Sequence, residues 1–368
     1  MSRRSRSTRR VSSLVLMLAL ISACATQTPK PSPGLTPAQV RAEIARRIPA
    51  PTKDREGWAA DIQIAFQAQR ITPNPENICA VLAVLEQESG YTADPSVPNL
   101  GKIARKEIED RAAALHIPKF AVGAALKLKS TDGRSYEERL SKVRTERELS
   151  ALYEDLIGRV PLGQRLFGNR NPVQTGGPMQ VSIAFAQNNA RHYPYAIAGS
   201  IREEVFTRRG GMYFGIAHLL GYQTPYTRKV HRFADYNAGR YASRNAAFQN
   251  AVSQASGIPL ALDGDLLVPG ASLSQAGLTE TAVRSLSGQL GMNERQIRRE
   301  LERSDQLDFS DSNLHARVFA LAEASAGKPL PRALIPGIRL DSPKITRELT
   351  TEWFANRVDG RYRQCLTR

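Results

Sequence analysis

The stretch Asn77–Gly90 reads Asn-Ile-Cys-Ala-Val-Leu-Ala-Val-Leu-Glu-Gln-Glu-Ser-Gly and predicts a buried helix. Asn74 is a suitable N-cap for it, and Pro75 suits the first helical position. The run Ile78–Leu85 is apolar on almost every side, which is typical of a helix inside a protein rather than on its surface. Gly90 provides the left-handed residue at which such a helix ends. The fold is therefore expected to form around this segment.

Glu88 lies in the last turn of the predicted helix. Burial and the negative end of the helix dipole both disfavour an ionised carboxylate, so the position predicts a raised pKa suited to a general acid. The alternative is a carboxylate that frays into water at a helix end. Glu86 is the rival acid, but two residues apart on a helix the side chains face nearly opposite ways. Glu88 is favoured because Ser-Gly follows it directly.

The composition of the 368 residues predicts an all-α fold with one large domain or two ordinary ones. Helix-forming residues are plentiful, and alternating Val/Ile/Thr runs are nearly absent. Apolar periodicity predicts helices near Pro37–Arg47, Arg55–Gln69, Ile103–Leu115, Tyr136–Ile157, Ile201–Leu220, Val230–Tyr241, Glu280–Leu290, Glu294–Arg303, Asn313–Ala326 and Lys344–Val358.

The N-terminus resembles a bacterial lipoprotein signal. Arginines precede a short apolar run at residues 11–20, and small residues lead directly to Cys24. Residues 1–23 are then the signal peptide, Cys24 is lipidated, and residues 24–37 form a Pro-rich tether. Ala25 after the cysteine favours the outer membrane, with the domain facing the periplasm. The alternative is an ordinary secretory signal with an incidental cysteine. No later run is apolar enough to span a membrane.

The charge is consistent with an envelope protein. The chain carries +16, and removing five arginines with the signal leaves 16 − 5 = +11. Peptidoglycan carboxylates and anionic lipid headgroups are suitable partners for such charge, and no nucleic-acid motif is present. The five histidines are scattered without metal-ligand spacing, so neither a metal nor a cofactor is predicted. No motif identifies a protein partner.

Cys79 and Cys365 remain once Cys24 is assigned to lipid. An even pair in an oxidising compartment favours a disulfide, which would tie the C-terminal tail to the helix carrying Glu88. The alternative is two separate thiols, with Cys79 as core filler.

Three motifs follow one another along the chain: Glu88-Ser89-Gly90, Gly177-Pro178-Met179-Gln180-Val181 and Tyr236-Asn237-Ala238-Gly239. This order resembles the lysozyme-like domain of the soluble lytic transglycosylases, which are related to goose-type lysozyme. The resemblance covers about residues 55–242. It implies that Glu88 is the catalytic acid and base and that the remaining motif residues line the sugar cleft. Those expected at the substrate are Ser89, Gly177, Met179, Gln180, Tyr236 and Asn237.

The chain departs from the family pattern in three places. Glu88 and Met179 are 179 − 88 = 91 positions apart, so residues 100–171 form a helical insertion, either a solvated face or a lid or cleft wall. Ser182 stands where the family has an apolar residue. Asp235 replaces a small residue, and if it points inward it is a second carboxylate that favours hydrolysis. The predicted domains are 38–242, lysozyme-like, and 243–368, a helical C-terminal extension.

The resemblance implies a murein lytic transglycosylase that cleaves the MurNAc-GlcNAc bond of peptidoglycan glycan strands with 1,6-anhydro ring formation. Three alternatives remain open. One is a muramidase that hydrolyses the same bond, and another is an inactive peptidoglycan-binding lipoprotein. The third is an adaptor whose C-terminal helices recruit a partner.

Overall fold

The all-α architecture is confirmed. The computed structural model describes residues 35–160, 162–340 and 347–368. The predicted signal peptide, Cys24 and most of the tether lie outside the described residues. Within them, no helix has the length and apolar character needed to cross a membrane.

Residues Pro37–Arg368 form one compact unit of helices with two short antiparallel hairpins. The hairpins are β1 (Thr175–Gly176) with β2 (Val181–Ser182), and β3 (Arg339–Leu340) with β4 (Leu349–Thr350). The helices are α1 (Pro37–Arg47), α2 (Arg55–Ala68), α3 (Pro75–Glu88), α4 (Leu100–Ala114), α5 (Lys119–Lys127), α6 (Tyr136–Lys142), α7 (Glu146–Arg159), α8 (Gly163–Phe167), α9 (Ile183–Asn188), α10 (Ile201–Val205), α11 (Arg208–Leu220), α12 (Lys229–Ala238), α13 (Ala242–Ser256), α14 (Leu278–Ser285), α15 (Ser287–Leu290), α16 (Glu294–Leu301), α17 (Asn313–Ala326) and α18 (Thr351–Leu366).

Helix α3 forms as its sequence predicts. The Asn74 side chain accepts a 2.8 Å hydrogen bond from the Asn77 amide, and Pro75 occupies the first turn. Every residue of Ile78–Leu85 is at most 1 % exposed. Gly90 follows with φ +56°, in the left-handed region. This helix is therefore held by burial on all sides, and Glu88 is its last residue.

The C-terminal helix α18 returns to the centre of the molecule. It packs against α3 and α12, and a disulfide joins Cys79 to Cys365 with their Cα atoms 5.5 Å apart. Arg47 donates a 3.0 Å hydrogen bond to the Cys365 carbonyl. Residues from α18 thus share one hydrophobic core with α1–α7 and α9–α12, whereas α13–α17 form a second core.

Three predicted helices are divided in the structure: Glu280–Leu290 is divided into α14 and α15 at Leu286, and the other two are divided at capping residues. The segment Ile201–Leu220 breaks into α10 and α11 because the Thr207 side chain accepts a 3.0 Å hydrogen bond from the Gly210 amide and starts a new helix. The segment Tyr136–Ile157 breaks into α6 and α7, since Thr145 and Glu148 form a capping box. At Thr207 and Thr145, the local capping hydrogen bonds start a new helix although the apolar periodicity continues through the break.

Other helices were not located individually from the sequence, among them the short α5 and α8. Helix α13 has no predicted counterpart, because its buried face consists mainly of alanine and polar side chains and carries little periodic signal. The final helix is displaced from the predicted Lys344–Val358 to α18. Residues 341–346 lie outside the described residues. Residues 100–171 contain the helices α4–α8, so this segment is helical as predicted.

Candidate active site

Glu88 has the properties of a proton donor. The residue is half-buried, and desolvation is the main cause that raises the pKa of its carboxyl to about 8, while the negative charge of Glu146 adds to the effect. None of the described residues donates a hydrogen bond to this carboxyl, so no such bond stabilises its ionised form. With a pKa near 8 the group carries its proton at neutral pH, as a general acid must before it acts.

Glu86 faces a different part of the molecule. Its carboxylate lies 3.4 Å from Arg361 Nε on α18 and 4.0 Å from Arg368 Nη2. Those ion pairs occupy Glu86 on the side of α3 that packs against the C-terminal helix. Glu86 therefore makes a structural contact with the C-terminal helix, whereas Glu88 faces the candidate site. Two residues apart on a helix, the side chains point in nearly opposite directions.

Glu146 is a second carboxylate at the site that sequence reasoning missed. It lies at the first position of α7, inside the insertion, and is 5 % exposed. The chain after Glu88 fixes this position: the Val97 amide donates a 2.8 Å hydrogen bond to the Arg144 carbonyl, and Ser96 forms a bridge with Thr145. The start of α7 is thereby attached to the segment that follows α3. Such long-range pairing leaves no signal in the local sequence.

The Gly177–Gln180 turn joins β1 to β2. Gly177 has φ +72°, and a Cβ there would lie 2.1 Å from the Val205 carbonyl oxygen, so the turn requires glycine. Gln180 also has a positive φ, +49°. Its side-chain amide donates a 2.9 Å hydrogen bond to Glu146 Oε2. The hairpin therefore presents Gln180 directly to the second carboxylate.

Met179 and Tyr236 connect the hairpin to α12. The Tyr236 hydroxyl donates a 2.6 Å hydrogen bond to the Met179 carbonyl oxygen. Burial raises the pKa of Tyr236 and the charge of Glu88 raises it further, so the phenol also lies close to the Glu88 carboxyl. Met179 itself is fully buried, and its side chain packs against Gly215 of α11. Met179 contributes to the site through its backbone.

Asn237 and Ser89 contact structural neighbours. The Asn237 side chain accepts a 2.7 Å hydrogen bond from the Thr351 hydroxyl at the start of α18. Ser89 caps the end of α3, and its hydroxyl donates to the Leu85 carbonyl at 3.2 Å. Asn237 thus fastens α12 to the C-terminal helix, while Ser89 fixes the last turn that carries Glu88.

Asp235 is buried among hydrogen-bond donors. Its carboxylate accepts from the amides of Ser243 at 2.7 Å and Tyr241 at 3.1 Å, and from the hydroxyls of Tyr222 at 3.1 Å and Tyr226. Desolvation raises the pKa of Asp235 to about 6, although these hydrogen bonds act to lower it. Asp235 therefore organises the corner between α12 and α13, and Glu146 is the second carboxylate beside Glu88.

A cavity of about 230 Å³ extends from Glu146 along the insertion. Gln174 and Thr175 of the hairpin form one wall, and residues of α4, including Ile103 and Glu107, form another. The insertion thus supplies both a carboxylate and part of the surface beside it. Among the described residues, no group of three or more His, Cys, Asp or Glu side chains is arranged to hold a metal ion.

The site and fold define an all-α protein with a protonated glutamate at the end of its central helix, beside a second carboxylate and a glycine-rich hairpin. The chain belongs to the family described as "Protein of unknown function (DUF1615)", whose model matches residues 51–368. It is 53% identical over 358 residues to the Escherichia coli (strain K12) protein named "Uncharacterized protein YaiW", across 97% of this chain and 98% of that protein. No solved structure matches the chain.

Proposed function

We propose that this protein is a murein lytic transglycosylase that cleaves the MurNAc-GlcNAc bond of peptidoglycan. The observation that carries the proposal is the raised pKa of Glu88, about 8, at the end of a buried helix. Cleavage of a glycosidic bond needs a proton for the leaving oxygen, and a neutral carboxyl supplies it. The order of the three motifs supports the same assignment.

The reaction needs one group that first donates and then accepts a proton. Glu88 protonates the glycosidic oxygen as the C1–O bond breaks and positive charge develops at C1 of the muramic residue. The Glu88 carboxylate then takes the proton from the C6 hydroxyl of that residue. The C6 oxygen bonds to C1 and closes the 1,6-anhydro ring. The reaction consumes no water and returns Glu88 to its protonated state.

The neighbouring groups have supporting roles in this proposal. Gln180 and the backbone at Gly177 contact the glycan, with Gln180 held in place by Glu146. The Tyr236 hydroxyl binds the Met179 carbonyl and so keeps the hairpin against α12, close to Glu88. Ser89 and Asn237 support the ends of α3 and α12. These contacts hold the acid in one position, which catalysis requires.

Glu146 favours a second candidate reaction, hydrolysis of the same bond by a muramidase. A second carboxylate near the acid is the arrangement with which glycosidases activate water or stabilise the positive charge at C1. Glu146 takes the role that the sequence suggested for Asp235, since the carboxylate of Asp235 binds its own donors. Both reactions use Glu88 as the acid.

The proposed location is the periplasmic face of the outer membrane. A lipid on Cys24 would anchor the chain, and the Pro-rich tether would hold the domain away from the membrane. The positive charge of the mature chain suits the carboxylates of peptidoglycan. The proposed partners are therefore glycan strands and, through the lipid, the membrane.

Digestion of purified sacculi tests the proposal. The chain from Thr26 onward contains the whole compact unit Pro37–Arg368 and is the suitable material. Products ending in 1,6-anhydro-muramic acid, read by mass spectrometry, support the transglycosylase, and reducing-end products support the muramidase. Sedimentation with sacculi without any cleavage contradicts both and supports the peptidoglycan-binding alternative. An adaptor would act through α13–α17 without binding sacculi.

A further inference from the structure

An apolar cavity of about 440 Å³ lies within the insertion, away from Glu88. Helices α4, α5 and α7 and the segment around Phe167 form its walls. Ligand cavities in proteins have volumes of about 300–1,000 Å³ and are lined mostly by apolar side chains. The surface of this cavity is almost entirely hydrocarbon, with Leu126 and Leu156 among the buried side chains that form it.

Three polar side chains interrupt the apolar lining: Arg111, Tyr153 and Arg170. Burial raises the pKa of Tyr153 and the negative charge of Glu154 raises it further, whereas the positive charges of Arg111 and Arg170 act in the opposite direction. Both guanidinium groups therefore lie near the phenol. The Arg111 side chain also donates a 3.3 Å hydrogen bond to the Arg170 carbonyl. Two positive charges thus lie among the residues that line an apolar cavity, whereas Glu154, which also acts on Tyr153, does not line it.

Arg111 already forms an ion pair with Glu107, but this pair leaves the Arg111 guanidinium available to a ligand. Its Nε lies 2.7 Å from Glu107, and both side chains of that pair are about one-third or more exposed, at 45 % and 32 %. An ion pair in contact with water contributes little to stability, so an anion can compete for the guanidinium. No acidic side chain lines the cavity among the described residues. The charge at the cavity is therefore suited to an anionic group.

We propose that this cavity binds a single long hydrocarbon chain that ends in an anionic head group. The apolar walls take up the chain, whose transfer from water stabilises the complex in proportion to the area buried. Arg111 and Arg170 bind the head group, and arginine suits both carboxylate and phosphate. The Tyr153 hydroxyl lies beside them and donates a 3.2 Å hydrogen bond to the Phe167 carbonyl. A free fatty acid and a lysophospholipid share this chemistry. The inference stands independently of the proposed glycan cleavage.

Calorimetric titration of the chain from Thr26 onward with submicellar hexadecanoate tests the proposal. We expect one molecule bound per chain, with affinity at least about tenfold higher than for octanoate because the longer chain buries more apolar surface. Hexadecanol is expected to bind more weakly than hexadecanoate. Lysophosphatidylglycerol, titrated in parallel, distinguishes a phospholipid source from a free fatty acid, and binding of either supports the proposal.

Two tryptophan variants on α5 locate the site. Ala125→Trp fills the cavity, which Ala125 lines, and is expected to abolish hexadecanoate binding. Ala124→Trp is the matched control, because Ala124 is exposed on the same helix and does not line the cavity. Circular dichroism verifies that both variants fold. Equal hexadecanoate binding by the two variants, or no binding by the unaltered chain, overturns the proposal.

The head-group assignment has its own test. Arg111→Gln combined with Arg170→Gln is expected to lower the affinity for hexadecanoate to that for hexadecanol, with little change for hexadecanol itself. A preference for hexadecanoate that survives in this variant contradicts the role of the two arginines.

Discussion

Gln180 Nε2 donates a 2.9 Å hydrogen bond to Glu146 Oε2, and this contact joins the glycine-rich hairpin to the helical insertion. The two residues belong to segments that the sequence assigns to different roles, a substrate-binding turn and an added helical segment. Their contact makes the insertion part of the candidate active site. The negative charge of Glu146 is also the second cause, after desolvation, that raises the pKa of Glu88.

The pKa of Glu88 predicts the pH dependence of cleavage. A general acid acts in its protonated form, so activity is expected below pH 8 and is lost as the pH rises through about 8. The measurement is the initial rate of release of soluble muropeptides from sacculi between pH 5 and about 10. An alkaline limit near pH 5 instead would mean that another group is the acid.

Replacing Glu146 is expected to shift that limit. Glu146→Gln removes a negative charge that raises the pKa of Glu88, so the loss of activity moves to lower pH. Desolvation is the larger cause, and the pKa therefore remains above its ordinary value. The matched control is Glu137→Gln, which makes the same charge change at an exposed ion pair with Arg105. Identical pH profiles for the two variants would refute the coupling.

Protonation of Glu88 also predicts how stability varies with pH. Between about pH 4.5 and pH 8 the folded chain holds a proton on Glu88 that the unfolded chain releases, so this group makes stability fall as the pH rises. Glu88→Gln removes the effect. We expect the variant to gain about 1 kcal/mol or more over wild type at pH 9, measured by urea unfolding. The difference should disappear near pH 4. A constant difference across this range would show that the carboxyl is not desolvated.

Tyr236→Phe tests the link between the hairpin and α12. The variant loses the hydrogen bond to the Met179 carbonyl and leaves that buried oxygen unpaired, at a cost of about 1–3 kcal/mol in the free energy of unfolding. Cleavage is expected to fall as well, because the hairpin is held less firmly against Glu88. Tyr222→Phe loses a 3.1 Å bond to Asp235 and is the control: it destabilises the fold while the cleavage rate of the folded protein is unchanged.

The disulfide is expected to stabilise the chain by about 2–5 kcal/mol, because it closes a long loop in the unfolded state. Cys79 and Cys365 are separated by 286 positions. Urea unfolding with and without dithiothreitol measures the effect. In Cys79→Ala combined with Cys365→Ala, dithiothreitol should cause no further change. Equal stability of the oxidised and reduced wild type would contradict this account.

The sequence was sufficient for features that depend on neighbouring residues. The buried run Ile78–Leu85, its Asn74 cap and its Gly90 terminus specify α3 locally, and the position of Glu88 follows from them. Glu146 could not be found in this way. Its place depends on pairing between Val97 and Arg144, two residues on separate segments, which no periodicity reveals.

Other features were hidden for the same physical reason. Helix α13 buries alanine and polar side chains, so its apolar pattern is too weak to detect. The direction in which the Asp235 side chain points depends on its hydrogen-bond donors, which are Tyr222, Tyr241 and Ser243. These donors come together only after α12 and α13 have packed. Local sequence therefore predicts helices and caps, whereas the second carboxylate and the partners of Asp235 require the tertiary structure.

Cleavage of sacculi by wild type, Glu88→Gln and Glu86→Gln tests the central claim most directly. Glu86 lies two residues away on the same helix and pairs with Arg361, so its variant makes the same chemical change outside the site. We predict that wild type and Glu86→Gln release muropeptides and that folded Glu88→Gln releases none. Release by Glu88→Gln at the wild-type rate would contradict the assignment of Glu88 as the catalytic acid.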